Sequence, residues 1–214
     1  MYASEDIVAR TSAPVSAPAP IETAEPSGYN KQRKIQIEKT FNPYRNMQVG
    51  ILMGSDSDWA KISSAAKALE EFGIAYEINV MSAHRTPDHV KEYAETAVSR
   101  GLSVIICAAG GAAHLAGVVA SHTILPVIGI PVPTDLAGGL DSLLSTVQMP
   151  GDIPVAAVGT GTGGARNAGL LAVQILAVAD AGLRKKLEDY RQGLVKKIAA
   201  KNAALKQKIA GGEW

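Results

Sequence analysis

From residue 47 onward, short runs rich in Val, Ile and Ala alternate with longer stretches whose apolar positions recur every three or four residues. The short runs are "MQVGILM" (47–53), "AYEINVM" (75–81), "SVIICA" (103–108), "PVIGIPV" (126–132) and "PVAAVG" (154–159). Their length and β-branched content predict strands. Between them the pattern predicts helices over 59–73, 87–101, 112–122, 139–149 and 164–181. In the first helix Ile62, Ala65, Ala66 and Leu69 keep the spacing of a core-facing stripe, and Gly73 supplies a stop. This alternation predicts an open parallel sheet with helices on both faces.

The ends of the chain read differently. Residues 1–45 mix Ala, Pro, Ser, Glu and Lys with little periodicity, a composition that buries too little apolar surface to offset its ordering entropy. They are expected to form a flexible extension, leaving an α/β domain over 46–182. The last segment, 183–214, contains a long, charged helix poorly filled with large apolar residues, expected to pack partly on another subunit or to project.

One stretch resembles a membrane span by composition, since 101–134 contains no Asp, Glu, Lys or Arg. Gly110-Gly111, His114, His122, Pro126, Pro131 and Pro133 break it into short Val- and Ile-rich blocks, which read as fully buried parallel strands. With 21 Lys and Arg against 20 Asp and Glu, the net charge of +1 gives no reason to expect a nucleic-acid or membrane-surface partner, and a small compact ligand fits better. A single cysteine, Cys107, cannot form an internal disulfide, and no secretory leader is recognised, so a reducing cytoplasmic setting is expected.

In an open parallel sheet, ligands gather beyond the carboxyl ends of the strands, where loops feed helix N-termini. The loops to inspect are therefore "GSDSDW", "SAHRTPD", "AGGAAH", "PVPTDLAGG" and "GTGTGGARN". In the first, Ser55, Asp56, Ser57 and Asp58 could hold a phosphate and sugar hydroxyls, or could simply cap a helix. In the second, Thr86-Pro87 is a helix start, which leaves His84 and Arg85 in the turn: a proton carrier beside a phosphate-binding guanidinium. His89 falls inside the helix and is expected to be solvated. In the third, Gly110 and Gly111 let backbone approach a planar ligand, and His114 opens the next helix as a ligand-facing, capping or packing residue.

Gly159, Gly161 and Gly164 satisfy G-x-G-x-x-G, but no second strand with an acidic end follows, so a dinucleotide site is not expected. No histidine or cysteine spacing suits a metal. His122 reads as structural and Cys107 as a small core residue.

Taken together, "MGSDSDW", "SAHRTP", "AAGGAAHLAG" and "DSLLSTVQMP" resemble the N5-carboxyaminoimidazole ribonucleotide mutase family of purine biosynthesis, over about 49–180. The resemblance implies a three-layer α/β/α sandwich with a parallel flavodoxin/Rossmann-like sheet, assembled as a homo-octamer with sites at subunit junctions. It implies transfer of a carboxylate from N5 to C4 of aminoimidazole ribonucleotide, without metal or organic cofactor. It also implies a hand-over of substrate from the carboxyaminoimidazole ribonucleotide synthetase.

Matched motif by motif, Ser55, Ser57 and Arg85 hold the 5′-phosphate and Asp58 the ribose. His84 carries the proton, and His114 lines the carboxylate and base pocket with the Gly110-Gly111 backbone. Ser82, Ala113 and Leu115 complete the substrate-binding set, and "DSLLSTVQMP" with Gly138-Gly139 reads as a lid.

The chain departs from the family pattern at Ala116, where the family usually has Pro, near Cys107, where it usually has a small Gly or Ala, and in "GTGTGGARN", where it has an Ile-Gly-Lys-Ala-Gly-like sequence. Three alternatives remain beside the mutase. One is direct carboxylation of aminoimidazole ribonucleotide by carbon dioxide, one is a non-catalytic nucleotide-binding module, and one is an oligomeric scaffold built on the last helix.

Overall fold

A computed structural model of the chain describes residues 48–212. The extension expected over 1–45 lies outside the described residues, as does the final dipeptide. Five strands form one sheet in the order β2-β1-β3-β4-β5, with every pair parallel. They are β1 (Gln48–Met53), β2 (Ala75–Val80), β3 (Leu102–Ala109), β4 (Val127–Pro131) and β5 (Ala156–Ala157). The helices are α1 (Trp59–Phe72), α2 (Pro87–Thr96), α3 (Leu115–Ser121), α4 (Leu140–Val147), α5 (Gly161–Ala177) and α6 (Ala181–Ala210).

Alternation along β1 sorts the core into two halves. Val49, Ile51 and Met53 pack with Ile62 and Leu69 of α1 and with Ala168, Val173 and Leu176 of α5. Leu52 faces the other way, joining Ile105 and Cys107 of β3 with Val90 and Tyr93 of α2 and Leu115 and Val119 of α3. The expected α1 stripe of Ile62, Ala65, Ala66 and Leu69 is entirely buried. Helices α1 and α5 approach so closely that a Cβ on Gly169 would lie 2.4 Å from the Ala65 carbonyl oxygen.

The uncharged stretch 101–134 folds as β3, α3 and β4, and β4 is buried throughout. Cys107 is enclosed in that core, where burial pushes its thiol well above the ordinary range. Among the described residues no helix is long and apolar enough to cross a membrane.

Three boundaries differ from expectation. The fifth strand is two exposed residues rather than six, because it pairs only with β4 at the sheet edge and Pro154 has no N–H to give the ladder. Helix α2 stops at Thr96 and the chain turns through Gly101, whose φ of 87° no side-chain-bearing residue adopts readily. Helices α5 and α6 break at Asp180, which caps α6 by accepting from Leu183 N at 2.9 Å, so the last helix begins at Ala181.

Helix α6 buries only Leu183, leaving Leu194, Val195, Ile198, Leu205 and Ile209 exposed. Its first turns are tied to α1 by Lys186 Nζ, which donates to Phe72 O at 2.9 Å.

Candidate functional site

Strand β1 ends at Met53, and Gly54 N donates to Ala108 O of β3 at 3.2 Å. Ser55 then caps a single 3-10 turn, Asp56–Asp58, accepting from Ser57 N on its Oγ at 3.3 Å. The Ser55 and Ser57 hydroxyls are 2.8 Å apart. Asp58 stands at the N-cap of α1 with no capping hydrogen bond from its side chain, so its carboxylate remains for other work. Burial raises its pKa above the ordinary value, opposed by the charge of Lys61.

At the end of β2, the Ser82 hydroxyl organises the turn. It accepts from Arg85 N at 3.2 Å, from His84 N at 3.4 Å and from Arg85 Nε at 3.4 Å. Thr86 closes the loop, accepting from Ser82 N at 3.0 Å and donating to Ser82 O at 3.2 Å, before Pro87 opens α2. Arg85 Nη2 donates to Gly54 O at 2.8 Å, so the guanidinium is held across the ends of β1 and β2.

At the end of β3, Gly111 (φ 64°) and Ala113 (φ 44°) both take left-handed backbone, and Ala113 N donates to Gly110 O at 3.2 Å. This tight turn brings His114 to the N-cap of α3, where its side chain makes no capping bond. Instead His114 Nδ1 and His84 Nε2 share a hydrogen bond of 2.6 Å, the rings meeting edge to face at 77°.

These three strand ends enclose a cleft of about 400 Å³. It lies where the chain order reverses between β1 and β3, the usual ligand position in such sheets. Of the expected site residues, Ser55, Asp58, Ser82, His84, Arg85, Gly110, Ala113, His114 and Leu115 line it. Ser57 and Gly111 do not. Ser57 is turned onto the Ser55 hydroxyl, and Gly111 N donates to Ser142 Oγ at 2.9 Å.

Sequence reasoning missed Gly54, Ala83 and Ala109 in the lining, although each sits at a strand end that the topology rule singles out. It also missed Thr86 as the brace of the His84-Arg85 turn.

The remaining polar residues lie elsewhere. His89 is exposed on α2, and His122 Nδ1 is 3.6 Å from Glu95 Oε1 at the surface. None of the residues 159–167 lines the cleft. A Cβ on Gly164 would overlap the Gly159 carbonyl, so these glycines build a compact helix start. Among the described residues no three of His, Cys, Asp and Glu gather as a metal cage requires. Helix α4, read from sequence as a lid, is seated by buried Ser142 and Thr146.

Fold and cleft together define a doubly wound α/β protein with a coupled histidine pair and a fixed arginine at the topological switch point. The family model for AIR carboxylase matches residues 48–197, and the chain belongs to that family. The N5-carboxyaminoimidazole ribonucleotide mutase of Mycobacterium leprae is 55% identical over 163 residues, covering 76% of this chain and 94% of that protein. The mutase of Bacillus subtilis is 56% identical over 144 residues, covering 67% of this chain and 89% of its own length. The crystal structure of Treponema denticola PurE superposes with a TM-score of 0.67 at 32% identity, covering 74% of this chain and 98% of that one.

Proposed function

We propose that the chain is an N5-carboxyaminoimidazole ribonucleotide mutase, an isomerase of purine biosynthesis that moves the carboxylate from N5 to C4. The observation that carries this reading is the His84–His114 hydrogen bond, set in a cleft that also holds Arg85. The family membership and the mutase relatives support it.

The chemistry needs one proton delivered and one removed. The bond between N5 and the carboxyl carbon breaks, its electron pair returns to N5, and carbon dioxide is released as N5 takes a proton. C4 then attacks the carbon dioxide, and the ring proton on C4 leaves to the same base. His84 gives the first proton and takes the second, so it returns to its starting state. In a hydrogen-bonded imidazole pair one nitrogen donates and the other accepts, so His114 holds His84 in register and exchanges the proton with it.

Arg85 and Ser55 bind the 5′-phosphate, with Ser57 supporting Ser55. Asp58 takes the ribose hydroxyls. Gly110, Ala113 and Leu115 shape the base and carboxylate pocket, and Ser82 fixes the turn that carries both His84 and Arg85. A closed cleft retains carbon dioxide between the two steps.

The chain divides in this reading into a catalytic body over 46–182 and a C-terminal segment that joins subunits of a homo-octamer. The exposed apolar residues of α6 and the exposed β5 edge support such an assembly. It works in the cytoplasm, receiving its substrate from the carboxyaminoimidazole ribonucleotide synthetase.

The test compares N5-carboxyaminoimidazole ribonucleotide with aminoimidazole ribonucleotide plus carbon dioxide as substrates. Product from the carbamate alone supports the mutase. Turnover only from the decarboxylated nucleotide assigns direct carboxylation, and no turnover with either removes the catalytic reading.

A further inference from the structure

Ser142 lies outside the cleft, yet it is fully buried and its hydroxyl ties the segment after β4 to the glycine turn whose Gly110 and Ala113 line the cleft. Its Oγ donates to Val132 O at 2.8 Å, beyond the end of β4, and accepts from Gly111 N at 2.9 Å. Its backbone N donates to Asp141 Oδ1 at 2.8 Å, an oxygen that also accepts from Thr134 Oγ1 at 2.6 Å. A single hydroxyl thus joins α4, the segment after β4 and the glycine turn after β3.

The geometry of the Gly110–Gly111 peptide makes this junction consequential. Its N–H is committed to Ser142 and its carbonyl to Ala113 N, so both polar groups of that plane are fixed and the plane cannot rotate without losing both bonds. The plane sets the left-handed Gly111, which leads through left-handed Ala113 to His114. His114 in turn stands 2.6 Å from His84.

We infer that Ser142 is a positioning residue for the histidine pair: its hydroxyl locks the glycine turn, and the turn aims His114 at His84. It touches neither substrate nor reacting atoms. Helix α4 then acts as a fixed buttress behind the cleft. The kinetic part of this inference rests on the mutase reading, whereas the geometric part does not.

Ser142→Ala removes the acceptor for Gly111 N and leaves the rest of α4 in place. Thr146→Val is the matched control: Thr146 is also buried on α4, its Oγ1 donates to Ser142 O at 2.7 Å, and it makes no bond to the glycine turn. Ser142→Ala is expected to lower kcat by about tenfold or more, the scale of a misplaced reacting group, with KM changed less than about threefold. The 15N signals of the His84 and His114 rings should then become those of two separate imidazoles. Thr146→Val should leave both readouts near the parent.

Equal kinetic losses in the two variants, or ring signals unmoved by Ser142→Ala, would overturn the inference. If the parent turns over neither substrate while Ser142→Ala still separates the ring signals, the mutase reading fails and the positioning role stands. Hydrogen exchange at Gly111 N in the unmodified protein tests the same bond without a variant. Protection is expected, and exchange at the rate of an open loop overturns the lock.

Discussion

His84 Nε2 and His114 Nδ1 lie 2.6 Å apart, although they follow strands that are not neighbours. Strand β1 runs between β2 and β3, so the two side chains meet across its end, beside Gly54. A pair reached over an intervening strand depends on two independent turns, one braced by Ser82 and Thr86, the other by Gly110, Gly111 and Ser142.

In the proposed mechanism the two rings act as one proton-exchanging unit, so their removal should not be additive. His84→Asn is expected to lower kcat by about a hundredfold or more while product affinity stays within about threefold. His114→Asn should lower kcat as well, and the double variant should be no slower than His84→Asn alone. Steady-state kinetics on the three variants, with product titration by calorimetry, decides it. Independent multiplicative losses would show that the histidines act separately.

Arg85 is fixed by Gly54 O and Ser82 Oγ with its fork at the cleft, which suits a phosphate. Arg85→Met should weaken binding of the ribonucleotide 5′-monophosphate by about 10- to 100-fold, the worth of one charged hydrogen-bonding group. Affinity for the dephosphorylated nucleoside should change far less. A variant that still prefers the phosphorylated ligand as strongly as the parent would rule out this role.

Gly169 sits where α5 crosses α1, and an added Cβ would meet the Ala65 carbonyl oxygen at 2.4 Å and Ala68 Cβ at 2.8 Å. Alanine improves helix propensity by about 1 kcal/mol, but a clash with backbone cannot be relieved by rotating a side chain. Gly169→Ala is therefore expected to cost about 1–3 kcal/mol net, read as a lower urea midpoint. An unchanged or higher midpoint would mean that the two helices can separate at little cost.

The Asp141 carboxylate is held below its ordinary value by the hydrogen bonds it accepts from Thr134 Oγ1 and Ser142 N. A depressed carboxylate contributes stability above the unfolded-state pKa, and the contribution disappears as pH falls through the lower folded value. The advantage of the parent over Asp141→Asn should thus be full at neutral pH and shrink below about pH 4. Urea unfolding of both proteins across that range measures it, and a gap that widens on acidification would contradict the assignment.

Much of the architecture was legible because the sheet is buried. Continuous Val and Ile runs marked β3 and β4, and the 62-65-66-69 spacing marked the inner face of α1. β5 was overestimated because its length is decided by its single neighbour rather than by its own residues. The strand-end rule located His84, Arg85 and His114, but whether two imidazoles meet depends on the conformation of two turns. Ser57 and Gly111 show the same boundary: their position at the site could be read, whereas the direction of a hydroxyl or a peptide N–H could not. Ser142 was hidden because the partner it holds is 31 residues away.

Among the described residues, the cleft draws all of its lining from the stretch between Gly54 and Leu115. No described residue after Leu115 lines it. Changes in the fifth-strand loop "GTGTGGARN" therefore leave the lining of the cleft untouched. In a saturation screen that scores catalysis separately from abundance, this loop should register almost wholly through abundance, whereas Ser142 should register through catalysis as well.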